Sequence, residues 1–480
     1  MPRNAWLLAL GAIALRAAAA LTVAVIDSDS ARDLRMAELI ERGRFTEALL
    51  VPTPTPPLQP WLTAIVNAGV GNLLVSGVAV SVILGGLALL PLFWMLRRTW
   101  DDRVAIVAAA LYAGLPALVD IHAEAMTEGP FMFFFFSAMA LGWSALEDRS
   151  WERTVVAAGC SALAWLTRPE GIYLLPLFLA AAALRFGRFS LVAIPIFLGT
   201  CFVLAFPYLS FIHAQTGHWQ PSLHSAPGAI RDVLSGQRPA GGSTQDFEEY
   251  RVVAQHGVLL GGARHLGSNF FGKVLFYVLG PFLVLGCFRP KPAEGRLGLF
   301  AFQILAAVGY LIPIALSFVA STTFSHRFLL VPAALLLSLT AVGLIRAAEW
   351  TRQRRALPLL VGGLCLAMTV RDLRPRRADK IGMKEAGLAI LQTLGPGKRV
   401  FSTHPQVEFY ARSEYLGLPE GATAELLLSS NIDAFAFCAP DLRLWEPRLE
   451  ERIREKTSFL REFPSPPRGN ALPVRVYLAK

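Results

Sequence analysis

Up to residue 370 the chain alternates long apolar blocks with short polar intervals. The blocks run Ala5–Ile26, Asn72–Leu96, Val104–Val119, Pro130–Leu146, Thr154–Thr167, Gly171–Leu184, Leu191–His213, Phe271–Phe288, Leu297–Ala320, Phe328–Leu344 and Ala356–Val370. The longer ones hold about twenty residues, the length of helix that crosses a bilayer, so the pattern predicts about eleven transmembrane helices. The first block is read as a retained helix, not a cleaved signal peptide, because it is long enough to span and Arg16 interrupts its apolar stretch. Arg168-Pro169-Glu170 divides what would otherwise be one long block, and predicts a tight turn between two helices.

The polar intervals fix an orientation. With the N-terminus in the cytoplasm, the inside loops carry Arg97, Arg98 and Arg103; Arg149 and Arg153; Arg185 and Arg188; Arg289, Lys291 and Arg296; and Arg346, Arg352, Arg354 and Arg355. The short outside loops hold almost no Lys or Arg, which is the charge bias of an N-in, C-out protein. Three larger outside segments remain, at 27–71, 214–270 and 371–480. The chain thus divides into a membrane domain, residues 1–370 with outer loops 27–71 and 214–270, and an extracytoplasmic C-terminal domain, residues 371–480. In the tail the pattern predicts a helix over Lys380–Leu391, strands at Arg399–Ser402, Asp433–Phe437 and Val474–Leu478, a helix end at Ala424–Ser430 and a charged helix over Pro447–Phe463, together a small α/β unit.

Composition narrows the class further. Of 480 residues, 54% are hydrophobic and only 17% charged, with a mean hydropathy of +0.47. That excludes a disordered chain and most soluble enzymes of this size. The net charge of +10 belongs with cytoplasmic loops and anionic lipid, not with nucleic acid. Five cysteines, four of them inside apolar blocks, imply neither a disulfide framework nor a CxxC metal pair.

Candidate chemistry gathers on the predicted outer side. Asp27 and Asp29 directly follow the first span, ahead of an amphipathic stretch, Arg32 to Arg42, that stops at Gly43. Carboxylates at a membrane surface can act as a general base or bind a divalent cation, and can also be plain solvated loop charge. The next outer loop carries Asp120, His122, Glu124 and Glu128 with no basic residue. If it begins a helix, Glu124 and Glu128 share a face, and Thr127 is positioned to cap the helix that follows. His122 with these carboxylates is a possible metal ligand, although the spacing matches no zinc pattern. Arg168 and Arg327 stand at outer helix ends, where arginine grips phosphate bidentately or snorkels to lipid headgroups. Arg16, inside a span, needs a partner or a cavity. All eight histidines fall on or beside the outer side.

Taken together, these segments resemble the GT-C superfamily of integral-membrane glycosyltransferases, in the group that includes family 39, the aminoarabinose transferases and Rgt-like proteins. The resemblance rests on an ordered series: Arg16, then Asp27-Ser-Asp29; Ala37, Leu39 and Gly43; Pro56-Pro57-Leu58-Gln59-Pro60; Thr127-Glu128-Gly-Pro-Phe131; Leu163-Ala-Trp-Leu-Thr-Arg168-Pro169-Glu170-Gly171; and His326-Arg327-Phe328-Leu-Leu-Val-Pro332. It covers nearly the whole membrane region. Asp29 matches the family's catalytic Asp in register with Ala37 and Gly43. Ser30 replaces the usual Glu, which leaves the division of roles between Asp27 and Asp29 open, and Gln59 replaces the usual Tyr.

The resemblance implies an inverting transfer of a sugar from a polyprenyl-phosphate donor to an acceptor hydroxyl on a lipid, glycan or protein, on the outer face. It implies Asp29 as the group that deprotonates or orients the acceptor. Arg327 and Arg168 would bind the donor phosphate, and Asp120, Glu124 or Glu128 would complete the acidic site. A divalent cation, with Asp27, Asp29 and His122 as candidate ligands, is left open. The Arg-rich, Ala-rich composition without paired cysteines fits a bacterial inner membrane. Two other readings stand beside this one: a transporter or flippase of a lipid-linked substrate, which needs polar groups or broken helices at mid-membrane, and a non-catalytic scaffold that keeps the fold.

Overall fold

The computed structural model describes the chain except for residues 52–54, 186, 223–263, 265, 322–324, 352, 354, 417–422, 439–448, 464–472 and 480. Most of the expected outer loop 214–270, with His224, His256 and His265, therefore lies outside the described residues.

Each predicted apolar block lies wholly or partly in helix. In chain order the helices are α1 (Arg3–Ala20), α2 (Ser28–Glu41), α3 (Phe45–Leu49), α4 (Leu58–Val70), α5 (Leu73–Leu87), α6 (Leu89–Thr99), α7 (Asp102–Gly114), α8 (Pro116–His122), α9 (Glu128–Asp148), α10 (Trp151–Thr167), α11 (Leu174–Leu184) and α12 (Arg188–Thr216). They continue with α13 (Gly280–Cys287), α14 (Leu297–Ser321), α15 (Leu330–Trp350) and α16 (Ala356–Asp372). Among the described residues, four helical segments are long and apolar enough to cross a membrane on their own, or five if α7 and α8 count as one bent span. The remaining blocks form shorter or broken helices; Phe271–Phe288 divides into a π-helical turn, Asn269–Val274, and the eight-residue α13.

Helix ends follow local chemistry. The Asp27, Asn72, Asp101 and Ser150 side chains each accept a backbone N–H at the start of a helix, as short polar residues do at N-caps. Pro116 opens α8 and bends it 52° from α7. A proline there has no N–H for the carbonyl one turn back, and the buried Arg16 takes over. It donates to the carbonyls of Tyr112 (3.3 Å), Ala113 (3.0 Å) and Ala12 (3.0 Å), and to Nδ1 of His122 (3.1 Å).

α15 is buried along almost its whole length at the centre of the bundle, whereas α12 turns Leu191, Val192, Phe202, Val203, Leu204 and Phe206 outward. Exposed apolar rows of this kind are what a lipid-facing helix presents.

The two ends of the bundle are chemically distinct. At one, Glu147 pairs with Arg98 (2.9 Å), Arg185 (3.4 Å) and Arg296 (2.9 Å), and Arg103 pairs with Glu349 (3.0 Å). All of these residues belong to, or flank, the predicted inside loops. At the other end, the amide of Ala24 donates to Arg376 O (3.0 Å) and that of Arg376 to Thr22 O (3.1 Å). The chain thus leaves α1 and leaves α16 on the same side of the bundle, the parity that the N-in, C-out reading requires.

Beyond α16 come α17 (Ile381–Leu394), β1 (Val400–Ser402), α18 (Pro405–Tyr410), α19 (Ala424–Ser429), β2 (Ala434–Cys438), α20 (Leu449–Lys456), β3 (Thr457–Phe463) and β4 (Val474–Ala479). The sheet order is β1-β2-β4-β3, with β1 and β2 parallel and the other pairs antiparallel. One face packs Val400, Ala434, Ala436, Val474 and Val476 against Met383, Ala386, Ile390 and Val407. The opposite face packs Phe401, Phe435, Phe437 and Tyr477 against Leu427, Leu449 and Ile453. One element departs from expectation: the charged helix over Pro447–Phe463 ends at Lys456, and Thr457–Phe463 is an edge strand on β4. Its Thr-Ser-Phe-Leu-Arg-Glu-Phe sequence has the β-branched and aromatic residues that favour strands, while Arg461 and Glu462 sit exposed on the edge. The run of charges concealed that switch.

Candidate active site

α1 ends at Ala20, and a short loop leads to Asp27, whose side chain caps α2. Asp27 Oδ1 accepts from the Asp29 amide (2.9 Å), and the Asp27 amide donates to Oε2 of Glu124 (3.0 Å). The turn from α8 to α9 therefore packs against the start of α2. Asp29 lies in the first turn of α2. Its Oδ2 accepts from Arg327 (2.6 Å), which enters α15 through the 3-10 turn His326–Leu329, and its Oδ1 accepts from Arg32 (3.0 Å).

Glu128 opens α9 and is buried. Its Oε1 accepts from Arg168 (2.6 Å) and lies 3.9 Å from Arg327. Arg168 also pairs with Glu170 (2.9 Å) and donates to Thr127 Oγ1 (3.2 Å). Thr127 occupies the N-cap position of α9, but its hydroxyl serves Arg168 and Glu128 and makes no side-chain cap. Two glycines permit these approaches. A Cβ on Gly171 would lie 2.3 Å from the Trp165 amide nitrogen, and one on Gly129 would lie 2.4 Å from Ser81 O.

Asp29, Glu128, Arg168 and Arg327 thus come together from four separated segments. Beside them a narrow cleft of about 10 Å³ is lined by Glu128, Arg168 and Arg327 at its polar end and by Phe131, Met132, Tyr310, Phe328, Leu330 and Val331 beyond. Arg168 lies over the rings of Phe131 (5.9 Å) and Phe328 (5.5 Å). A polar mouth opening on apolar walls suits an amphiphile with an anionic head.

The other expected site residues are placed differently. Glu124 and Glu128 do not share a helix face, because α8 stops at His122 and α9 starts at Glu128. Glu124 faces Asp27 and Arg377 instead (3.1 Å to Arg377). Asp120 lies apart, clamped by Arg371 (2.5 Å) and Arg376 (2.8 Å). His122 is fully buried and turned to Arg16. Asp27 and Asp29 each face their own arginine, and among the described residues no three His, Cys, Asp or Glu side chains come together as a metal site. Of the candidate ligands, Asp27 and Asp29 stand at the start of α2 while His122 is turned to Arg16.

Two features escaped the sequence reading. Arg377 pairs with both Asp27 and Glu124. Its signal was the cluster Arg371, Arg374, Arg376 and Arg377 on the predicted outer side, where the charge rule expects few basic residues. Asp33, one turn after Asp29, is buried and accepts from Thr55 Oγ1 (2.7 Å).

The carboxyls separate electrostatically. Burial acts to raise Asp27, but Arg377, Arg327 and the Asp29 amide outweigh it and hold it at about 2. Burial pushes Glu124 up to about 7 against the pull of Arg377. It also pushes Asp33 to about 7, against the Thr55 hydrogen bond and with Asp29 and Glu128 nearby.

Residues 54–211 match the family model described as dolichyl-phosphate-mannose-protein mannosyltransferase. The fold is similar to ArnT from Cupriavidus metallidurans in the apo state, with a TM-score of 0.66 and 14% identity, over 98% of this chain and 97% of that one. The chain has an ArnT-like fold. A second ArnT structure, bound to undecaprenyl phosphate, matches this chain with a TM-score of 0.61 and 13% identity, covering 99% and 98% of the two chains. The archaeal oligosaccharyltransferase AglB from Archaeoglobus fulgidus, in complex with an inhibitory peptide and a dolichol-phosphate, matches with a TM-score of 0.52 and 12% identity over 95% and 72%. Among proteins of curated function, none matches the sequence significantly.

Proposed function

We infer that the protein transfers a sugar from a polyprenyl phosphate to an acceptor hydroxyl, with inversion, on the extracytoplasmic face of a bacterial inner membrane. The observation that carries this reading is the pairing of Asp29 with Arg327 at the mouth of an apolar-walled cleft. Without substrate the two charges satisfy each other. A donor phosphate entering beside Arg168 and Arg327 competes for Arg327 and releases Asp29 toward the acceptor.

The reaction then needs little else from the protein. The acceptor oxygen attacks the anomeric carbon from the face opposite the phosphate. The bond from that carbon to the phosphate oxygen breaks, its electron pair leaving on polyprenyl phosphate. The acceptor proton passes to Asp29. Two guanidiniums fixed in a partly buried site stabilise the charge that develops on the leaving phosphate. Glu128 holds Arg168 in place. The related structures hold undecaprenyl phosphate and dolichol-phosphate, the class of molecule released in this reaction.

The buried Arg16 is hydrogen-bonded at the α7–α8 break and to His122, away from the cluster of Asp29, Glu128, Arg168 and Arg327 on which the transferase reading rests. Purified protein offered a panel of polyprenyl-phosphate sugars should release polyprenyl phosphate with at least one donor and an acceptor-bearing lipid extract. Asp29→Asn should abolish that release while retaining the fold. Full activity in the variant would remove Asp29 from the mechanism.

A further inference from the structure

The acidic groups of the site fall into two sets, each with its own positive charge. Asp29 and Glu128 face Arg327 and Arg168, which belong to the membrane bundle. Asp27 and Glu124 face Arg377, from the junction between α16 and the C-terminal domain. When donor phosphate engages Arg168 and Arg327, Asp29 keeps only Arg32, from its own helix, whereas the second set keeps its counter-charge from the junction.

The backbone at the junction is arranged for this. Arg376 pairs through its main chain with Thr22 and Ala24, and its side chain goes to Asp120 and to Ala19 O (2.7 Å). Arg377 then adopts a left-handed conformation, φ 56° and ψ 25°. That is an uncommon and costly state for a residue with a long side chain. It ends the pairing with the 22–24 segment and sends consecutive arginines to different carboxylates. Asp27 in turn holds the Asp29 amide, so Arg377 reaches Asp29 through one intermediate residue.

We propose that Arg377 is a positioning residue for transfer: it fixes Asp27, and through Asp27 the first turn of α2, so that Asp29 stays aimed at the reacting centre after donor has drawn Arg327 away. This rests on the reading of Asp29 as the acceptor-activating group. Arg377 does not line the cleft, so it acts on turnover more than on donor affinity.

The test is Arg377→Gln beside Arg377→Lys in the full-length detergent-purified protein, with three readouts. Turnover with a polyprenyl-phosphate sugar should fall at least tenfold in kcat for Arg377→Gln, with the donor KM within about twofold, and Arg377→Lys should recover part of it. Binding of polyprenyl phosphate alone should be unchanged. Hydrogen exchange in the peptide over residues 21–36 should quicken in Arg377→Gln and much less in Arg377→Lys. Unchanged exchange and kcat overturn the proposal, as does a loss that appears equally in KM and in phosphate binding. Quickened exchange in Arg377→Gln together with no turnover by the wild type with any donor would instead defeat the proposed function. If Arg377→Gln does not fold, Asp27→Asn removes the same link from the other side, and normal exchange and turnover there would overturn the proposal.

Discussion

At the residue scale, burial and the arginine partners together decide which carboxyls carry charge. Asp33 has a folded-state value of about 7 against an ordinary value of 3.8. The folded protein therefore binds more protons than the unfolded chain between those limits, and stability falls as pH rises through that window. Above it, the ionised and buried group is a constant cost. Asp33→Asn keeps the acceptor for Thr55 and removes the charge. It should raise the melting temperature by a few degrees at pH 8 and leave it nearly unchanged at pH 4, as scanning fluorimetry across pH would show. Arg168→Ala is the opposite case. It leaves Glu128 buried beside a vacated position and should destabilise the protein by about 3–5 kcal/mol. Arg168→Ala with Glu128→Gln should recover much of that stability but not turnover, a separation that denaturation and activity assays on both variants would reveal.

At the element scale, helix breaks and the turns between helices bring the site together. Asp27 and Asp29 were legible because an acidic pair follows an apolar block. Arg168 and Arg327 were legible because charged residues sit at outer helix ends. Asp120 and Glu124 read alike in the sequence, yet the α8–α9 turn sends them to different arginines, and nothing local distinguishes them. Arg16 announced a partner without naming it. That partner is a break created by a proline about a hundred residues away, a relation between helices that periodicity does not report. Arg16→Met should leave the Tyr112 and Ala113 carbonyls short of donors. A loss of about 2–4 kcal/mol is expected from two or three buried groups left unsatisfied, with polyprenyl-phosphate affinity retained in the protein that folds. Thr457–Phe463 failed for the reverse reason: its charges suited an exposed helix, and pairing with β4 decided its state.

At the scale of the whole molecule, alternation of sides makes the site possible. Residues 27, 29, 124, 128, 168 and 327 lie in segments that the charge bias assigns to one side, and they meet at one end of the bundle; the loops assigned to the other side meet around Glu147. Cysteine placed at Glu462 or at Glu152, both exposed, tests this in a background otherwise without cysteine. Glu462→Cys should react with a membrane-impermeant thiol reagent on intact spheroplasts, and Glu152→Cys only after permeabilisation. Equal reactivity would refute the topology. The C-terminal domain is also tied to the first outer loop: the Ile26 amide donates to the Tyr410 hydroxyl (3.1 Å), and Arg35 donates to the Ser413 carbonyl (2.8 Å).

The position of Arg377 late in the chain bears on how the protein matures. Asp27, Glu124 and Glu128 are all synthesised and inserted well before the ribosome reaches the junction after α16. Until then Asp27 and Glu124 lack their counter-charge, and the loop after α1 lacks the strand-like partner that Arg376 gives it. A nascent or truncated chain ending before residue 376 thus has its acidic residues but not the contacts from the junction that hold Asp27, Glu124 and the loop after α1.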